Sequence, residues 1–318
     1  MKKVIALLCT LAILLTFSSV TLAEGSTYKV GMTFSLANLT WAELCTEAKT
    51  YGESLGMEVT VVDNGDDAAT QVSQIENFTQ SGMDAIIICA VESSSVSEVC
   101  KAAMEVGIKI IGYTQQLEYY DAEYLVDPYN TGYACGQAAA AWINEHYGDA
   151  ERVEWALQDL PKYPEIIDRA NGIKDGIEQN TSNTVLVATA AAEIMADGVT
   201  NAETFMQAHP DIKVITSIGS GGGAGANEGV KAYISEDDYE NFGIFGIDAT
   251  EQEILNIINK DPQKSSVSLG GGAAHARAMI DMANNFWKGV EQEAIQYMPI
   301  TVIDASNAEA YYAEHYAK

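Results

Sequence analysis

The chain has 318 residues, 47% of them hydrophobic, which is enough for two α/β cores and too apolar for a disordered polymer. Its 45 acidic residues outnumber 17 basic ones for a formal net charge of −28, so its surface repels nucleic acid and anionic lipid. Lys2 and Lys3, an apolar run from Val4 to Phe17 and the small residues through Thr21-Leu22-Ala23 have the pattern of a secretory signal over residues 1–23. An uncleaved membrane tether is the alternative reading of that run. Glu24 rather than a cysteine follows it, and Cys9 lies inside it, so no clear lipid-attachment point stands out. The expected location is the periplasm or the outer cell surface.

From Tyr28 onward, β-branched runs alternate with longer amphipathic ones. Strands are predicted at Lys29–Phe34, Glu58–Asp63, Ala85–Ala90 and Lys109–Tyr113, with helices at Trp41–Leu55, Ala68–Ser81 and Ser95–Val106. Continuous apolar strands such as Ala85-Ile86-Ile87-Ile88 suit a parallel sheet covered on both faces, and repeated βα units wind it right-handed. A strand at Glu123–Val126 and the pair Asp127-Pro128 lead into an Ala-rich helix over Asn130–Tyr147. A second series follows, with strands at Arg152–Leu157, Thr184–Ala188, Lys213–Ile218 and Phe242–Ile247. Its helices are Glu165–Asn180, Asp197–Ala208, Ala224–Ile234 and Glu251–Asn259.

The tail adds a strand at Ser266–Leu269, a helix at Ala273–Trp287 and an apolar run, Ile295–Ile303, carrying Pro299. If that helix returns to the first lobe and the last run to the second, the chain crosses between lobes three times and forms a hinge. The expected fold class is therefore α/β, with two doubly wound parallel-sheet lobes joined by a three-segment hinge. The first lobe comprises residues 24–128 plus 269–293, the second 129–268 plus 294–318. Open α/β sheets bind ligands outside the carboxyl ends of their strands.

Cys45, Cys89, Cys100 and Cys135 fall in apolar elements without zinc spacing and read as small buried hydrophobes, one disulfide being allowed in an exported chain. His146, His209, His275 and His315 are scattered, and neither a nucleophile elbow nor a hydrolytic acid/base pair stands out. The reading is a binder with no metal, no cofactor and no enzymatic activity. Gly219-Ser220-Gly221 with Ala224 approximates a dinucleotide fingerprint. It sits in a late βα unit, however, and an exported chain has little access to nicotinamide cofactors. The run reads better as a place where backbone amides approach a ligand, at Gly222, with Gly270-Gly271-Gly272 doing the same from the other lobe.

Several local patterns occur in a fixed order: Lys29-Val30-Gly31-Met32-Thr33-Phe34-Ser35 with Asn38 and Trp41, then Asp63-Asn64-Gly65-Asp66-Asp67 leading to Gln71 and Gln74. Further along come Gly82-Met83-Asp84-Ala85, Gly132 with Gly136, Arg169 with Gly172, His209-Pro210-Asp211-Ile212 and Gly246-Ile247-Asp248-Ala249-Thr250. In this the mature chain resembles the type I periplasmic binding proteins, the family of ribose- and galactose-binding receptors of bacterial importers. The resemblance implies a monomer that closes on a small polar ligand, a sugar or sugar-like molecule, and hands it to the membrane permease of an ABC transporter. A receptor of the same fold feeding a chemoreceptor or sensor kinase is the alternative.

The resemblance also places Asn38 and Trp41 as a polar contact and an aromatic platform after the first strand, and Asp248 as a carboxylate accepting from ligand hydroxyls. Tyr113 and Gln115 end the fourth strand, Tyr163 and Glu165 occupy the first βα loop of the second lobe, and Gly222 and Gly270 complete the expected ligand-binding set. Departures from the family pattern fall at Thr114-Gln115, Ile167, Gly221-Gly222-Gly223 and Gly270, so much of a pentose-specific shell is missing.

Overall fold

The computed structural model describes residues 27–162 and 164–317. The first series is β1 (Lys29–Phe34), α1 (Leu39–Ser54), β2 (Glu58–Asp63), α2 (Ala68–Gln80), β3 (Ala85–Ile88), α3 (Ser93–Glu105), β4 (Lys109–Thr114) and β5 (Ala122–Leu125). The second is α4 (Pro128–Tyr147), β6 (Val153–Asp159), α5 (Pro164–Glu178), β7 (Thr184–Ala191), α6 (Met195–Ala208), β8 (Ile212–Ser217), α7 (Ser220–Lys231), β9 (Gly243–Ile247), α8 (Glu251–Ile258) and β10 (Gln263–Ser268). The tail consists of α9 (Gly272–Lys288), β11 (Ile295–Tyr297), β12 (Thr301–Asp304) and α10 (Ala308–His315).

Two six-stranded sheets result, in the orders β11-β5-β4-β3-β1-β2 and β12-β10-β9-β8-β6-β7. Every pairing is parallel except that of β12 with β10. Strand β3 shows why the first sheet forms. Ile87 packs with Leu44, Ala48 and Met279 of α1 and α9, while Ile86 and Ile88 pack with Ile75, Val96 and Cys100 of α2 and α3. Each isoleucine is fully buried, contributing about 1.5–3 kcal/mol, so a run without polar alternation is what a sheet covered on both faces requires. Trp155, Leu157 and Phe245 fill the corresponding place under α4 and α5 in the second lobe.

The chain passes between the sheets after β5, after β10 and after β11, as topology demands of a three-stranded hinge. Strand β11 pairs with β5, Gln296 facing Tyr124, so it completes the first sheet. The expected boundary at residue 294 is thereby corrected: the last crossing runs through Met298-Pro299-Ile300, where proline removes a ladder donor and splits one apolar run into two strands of different sheets. Because β5, β10 and β11 all enter the junction at their carboxyl ends, and Thr301 opens β12 beside Ser268, the strand tips of both sheets face the same region.

The glycine run is also corrected. Helix α7 begins at Ser220, not Ala224, and takes Gly221 through Gly225 into its first turns. Glycine inside a helix costs about 1 kcal/mol against alanine, which here is offset by close packing of α7 on α6. A Cβ on Gly225 would stand 2.7 Å from the Gly198 Cα. Helix α10, tyrosine-rich and weakly amphipathic, is absent from the sequence-based reading and packs Tyr311, Tyr312 and Tyr316 on Ile254 and Ile257 of α8.

Candidate functional site

At the tip of β1, Asn38 is exposed and caps α1, its Oδ1 accepting from the Thr40 N–H at 3.0 Å and the Trp41 N–H at 3.4 Å. The amide nitrogen thus remains the end that can donate to a ligand. Trp41 is half-buried, one part of it packed against the first-lobe core. Gln115 is exposed beyond β4, and its Oε1 accepts from Ser93 Oγ at 3.4 Å, which brings the β3 tip into the same group. Between them Thr114 holds φ 65°, left-handed for a β-branched residue.

Tyr113 is not on this surface. It is 4% exposed, within the core, and its hydroxyl meets His275 Nδ1 at 3.1 Å. His275 Nε2 lies 2.7 Å from the Leu269 carbonyl in the middle crossing. A carbonyl only accepts, so Nε2 carries the proton and Nδ1 accepts from the Tyr113 hydroxyl. Burial lowers the His275 pKa, with the Leu269 hydrogen bond opposing, which favours the neutral ring this arrangement needs. The period-2 alternation of β4 turns Tyr113 toward α9, so its side chain lies in the core of the first lobe beside the middle crossing.

On the second lobe, Asp248 ends β9 with φ 101°, followed by Ala249 with φ 48°. The turn is tied to β10: the Asp248 N–H donates to the Val267 carbonyl at 2.8 Å, and the Ala249 N–H to Ser266 Oγ at 2.9 Å. Asp248 is exposed as a residue, yet protein atoms crowd its carboxylate. Desolvation raises its pKa, while the Arg169 guanidinium and the Ser220 N–H, 3.0 Å from Oδ2, pull the other way. Arg169 is itself anchored by Nη1 donating to the Ile218 carbonyl at 2.9 Å. Asp248 thus works as an acceptor held at a helix start, where the partial positive charge of α7 favours it.

The remaining expected residues separate. Gly222 is buried, and a Cβ there would stand 3.1 Å from Gln158 Cβ, so packing of α7 on the sheet leaves no room for a side chain at that position. Gly270 has φ 94° in the middle crossing, with His275 Nε2 and Pro299 Cγ 3.2 and 3.3 Å from the position of a Cβ, which makes it a hinge glycine. Glu165 is placed by its backbone in the first turn of α5, its side chain outside the described residues, and Tyr163 lies outside them altogether. Ser93 and Ser220 are gains over the sequence-based reading. So is Glu253, whose signal was the capping-box spacing Thr250-x-x-Glu253.

A separate concavity of about 630 Å³ lies between α4 and strands β9, β10 and β12, lined by Ala138, Trp142, Phe245, Ser265, Val302 and Asp304. Ser265 sits toward the amino end of β10, away from the strand tips, so this hollow is distinct from the junction.

Two parallel α/β lobes, three crossings and amide, indole and carboxylate groups at facing strand tips define a two-lobed solute-binding architecture. Residues 30–291 match the family described as periplasmic binding protein domain, and the chain belongs to that family. A ribose import binding protein of Bacillus subtilis (strain 168) is 29% identical over 160 residues, which is 50% of this chain and 51% of that protein. The chain therefore aligns with about half the length of that relative. The same fold occurs in a periplasmic ribose ABC transporter structure from Conexibacter woesei, with TM-score 0.74 and 17% identity over 90% of this chain and 95% of that one. It occurs again in a periplasmic solute binding protein of Actinobacillus succinogenes with bound D-allose, with TM-score 0.70 and 18% identity over 90% of this chain and 100% of that one.

Proposed function

We propose that this chain is the exported binding component of an ABC importer, a monomer that captures a sugar or sugar-like molecule between its lobes and delivers it unchanged to a membrane permease. One observation carries this reading: an accessible, desolvated carboxylate, Asp248, on a strained turn at the tip of β9. A carboxylate so placed accepts hydrogen bonds from ligand hydroxyls at about 1.5–3 kcal/mol each. Asn38 and Gln115 supply amides from the other lobe, and Trp41 a flat face that excludes water. The curated relative and the neighbours named for ribose and D-allose support the substrate class. Export is supported by the signal pattern over residues 1–23, and among the described residues no helix is long and apolar enough to cross a membrane.

In this reading the lobes are residues 27–126 with 271–297, and 127–269 with 301–317, turning about the three crossings. A ligand favours closure only if it gains contacts in the closed form that it lacks in the open one, which groups on opposite tips provide. A thermal-shift panel of D-ribose, D-xylose, D-allose and myo-inositol tests the substrate class. A ligand at 100 times its Kd stabilises by about 2.7 kcal/mol, which raises the melting point by about 5 °C or more. No shift with any polyol, with a response instead to amino acids or nucleosides, would move the protein out of the sugar-binding class.

A further inference from the structure

Beneath Asp248 lies a second acid. Glu253, in the first turn of α8, is fully buried. Its Oε2 is reached at 3.1 Å by both the N–H and the hydroxyl of Thr250, and its Oε1 accepts from Gln263 Nε2 at 2.9 Å. Gln263 is fixed in turn by Asn256 Nδ2, which donates to its Oε1 at 2.9 Å, and by Asn227 Oδ1, which accepts from its N–H at 3.0 Å. The slot holding the carboxyl is built from glycines. Any side chain on Gly246 of β9 would strike Glu253 Oε1, and a Cβ on Gly223 of α7 would stand 2.8 Å from the same atom. Elements α7, α8, β9 and β10 therefore all shape themselves around one carboxyl, which a helix cap alone does not require, since capping glutamates ordinarily sit in solvent.

The geometry points to Glu253 as a positioning residue for Asp248: by bridging Thr250 and Gln263 it holds the Asp248–Ala249 turn in its left-handed conformation. Burial first, and then repulsion from Asp248, push its pKa up to about 8. The carboxyl then keeps its proton at neutral pH, while Oε2 accepts from Thr250 and Oε1 from Gln263. The other titratable groups facing this site are Cys135 on α4, Tyr311 and Tyr316 on α10 and, through Asp248, Arg169 on α5. Burial raises the thiol and both phenols, so none of the four changes charge below pH 9. The inference deepens the reading of Asp248 as the ligand acceptor, and its test uses no ligand, so the two can fail separately.

The experiment is carbon-detected NMR of carboxyl-labelled protein, paired with amide hydrogen exchange. Glu253 is expected to titrate near pH 8 in the wild type and to move down by about half a pH unit or more in Asp248→Asn, where the like charge is gone. Titration in the ordinary glutamate range, or no response to Asp248→Asn, overturns the protonated role. In Glu253→Gln, the neutral isostere, exchange at the Ser220 amide should stay within about threefold of wild type. In Glu253→Ala it should rise by about tenfold or more as Asp248 Oδ2 leaves it, while amides of β1 to β5 are unchanged. Unchanged Ser220 protection in Glu253→Ala, or tenfold faster exchange in Glu253→Gln, overturns the positioning role. Should Glu253→Ala fail to fold, the Glu253→Gln exchange and the Asp248→Asn titration still decide.

Discussion

The tips of β4 and β9 occupy the same place in their respective sheets, third from the edges that β11 and β12 form, and are built alike. Each carries a non-glycine residue in the left-handed region, Thr114 in one and Asp248 in the other. Each is fastened by a buried glutamate that accepts a backbone N–H from the loop: Glu123 Oε1 from Leu117 at 2.6 Å, Glu253 Oε2 from Thr250 at 3.1 Å. They differ in what they do with the rest of the acid. Glu123 leaves Oε2 buried without a hydrogen-bond partner, whereas both oxygens of Glu253 are engaged. They differ also in what they present, a neutral amide at Gln115 against a carboxylate at Asp248. The more completely satisfied support lies under the carboxylate, so hydrogen bonding concentrates rigidity at the Asp248 tip.

Four measurements break or sharpen that comparison. The largest effect is expected on affinity for whichever sugar raises the melting point. By calorimetry Asp248→Ala should lose about 2–5 kcal/mol and Gln115→Ala only about 0.5–1.5 kcal/mol, and equal losses would erase the division between the two faces.

Next is stability against pH. An unfolded glutamate ionises above 4.5 while folded Glu253 keeps its proton to about 8, so stability falls as pH rises through that window. One retained proton gives a slope of about 1.4 kcal/mol per pH unit. Urea denaturation at several pH values should show Glu253→Gln lacking that slope, the other carboxylates cancelling in the difference. Parallel curves for mutant and wild type would mean that Glu253 is ionised in the fold.

Third, Thr114→Gly and Asp248→Gly should each relieve backbone strain and raise stability by up to about 1 kcal/mol, while only the second abolishes binding. Destabilisation by both would show the left-handed residues to be well accommodated. The smallest effect belongs to Asn38→Ala, about 1 kcal/mol of stability from the lost cap, seen in thermal unfolding, with less than tenfold in affinity. A larger drop in affinity than in stability would make Asn38 principally a ligand contact.

The fold was legible because both sheets advertise themselves through apolar runs such as Ala85–Ile88, and because βα alternation admits few topologies. Prolines and glycines were harder to read. Pro299 marked a break in the tail, but nothing local to Ile295–Tyr297 says which sheet those three residues join. Gly221 to Gly225 looked like a turn because the compensating contact, Gly198 on α6, is distant in sequence. At the junction, the family resemblance points to Asp248 and the end of the fourth strand to Gln115, and the structure has both at strand tips. The place of Tyr113 depends on which face of β4 it lies on, and that on α9, whose His275 is 162 positions away. Glu253 was hidden because a Thr-x-x-Glu spacing promises only a capped helix, and its depth follows from glycines on two other elements.

Strand β11 has a consequence for how the polypeptide acquires its shape. The outermost rung of the first sheet consists of Ile295, Gln296 and Tyr297, so a domain begun at Lys29 stays open along one edge until nearly all of the chain has left the ribosome. Until then β5 exposes unpaired backbone, and closing that edge joins contacts of very high sequence separation, which makes for slow folding. Each sheet is complete only with a strand from the tail, and a nascent chain stalled before residue 295 should remain a substrate for chaperones.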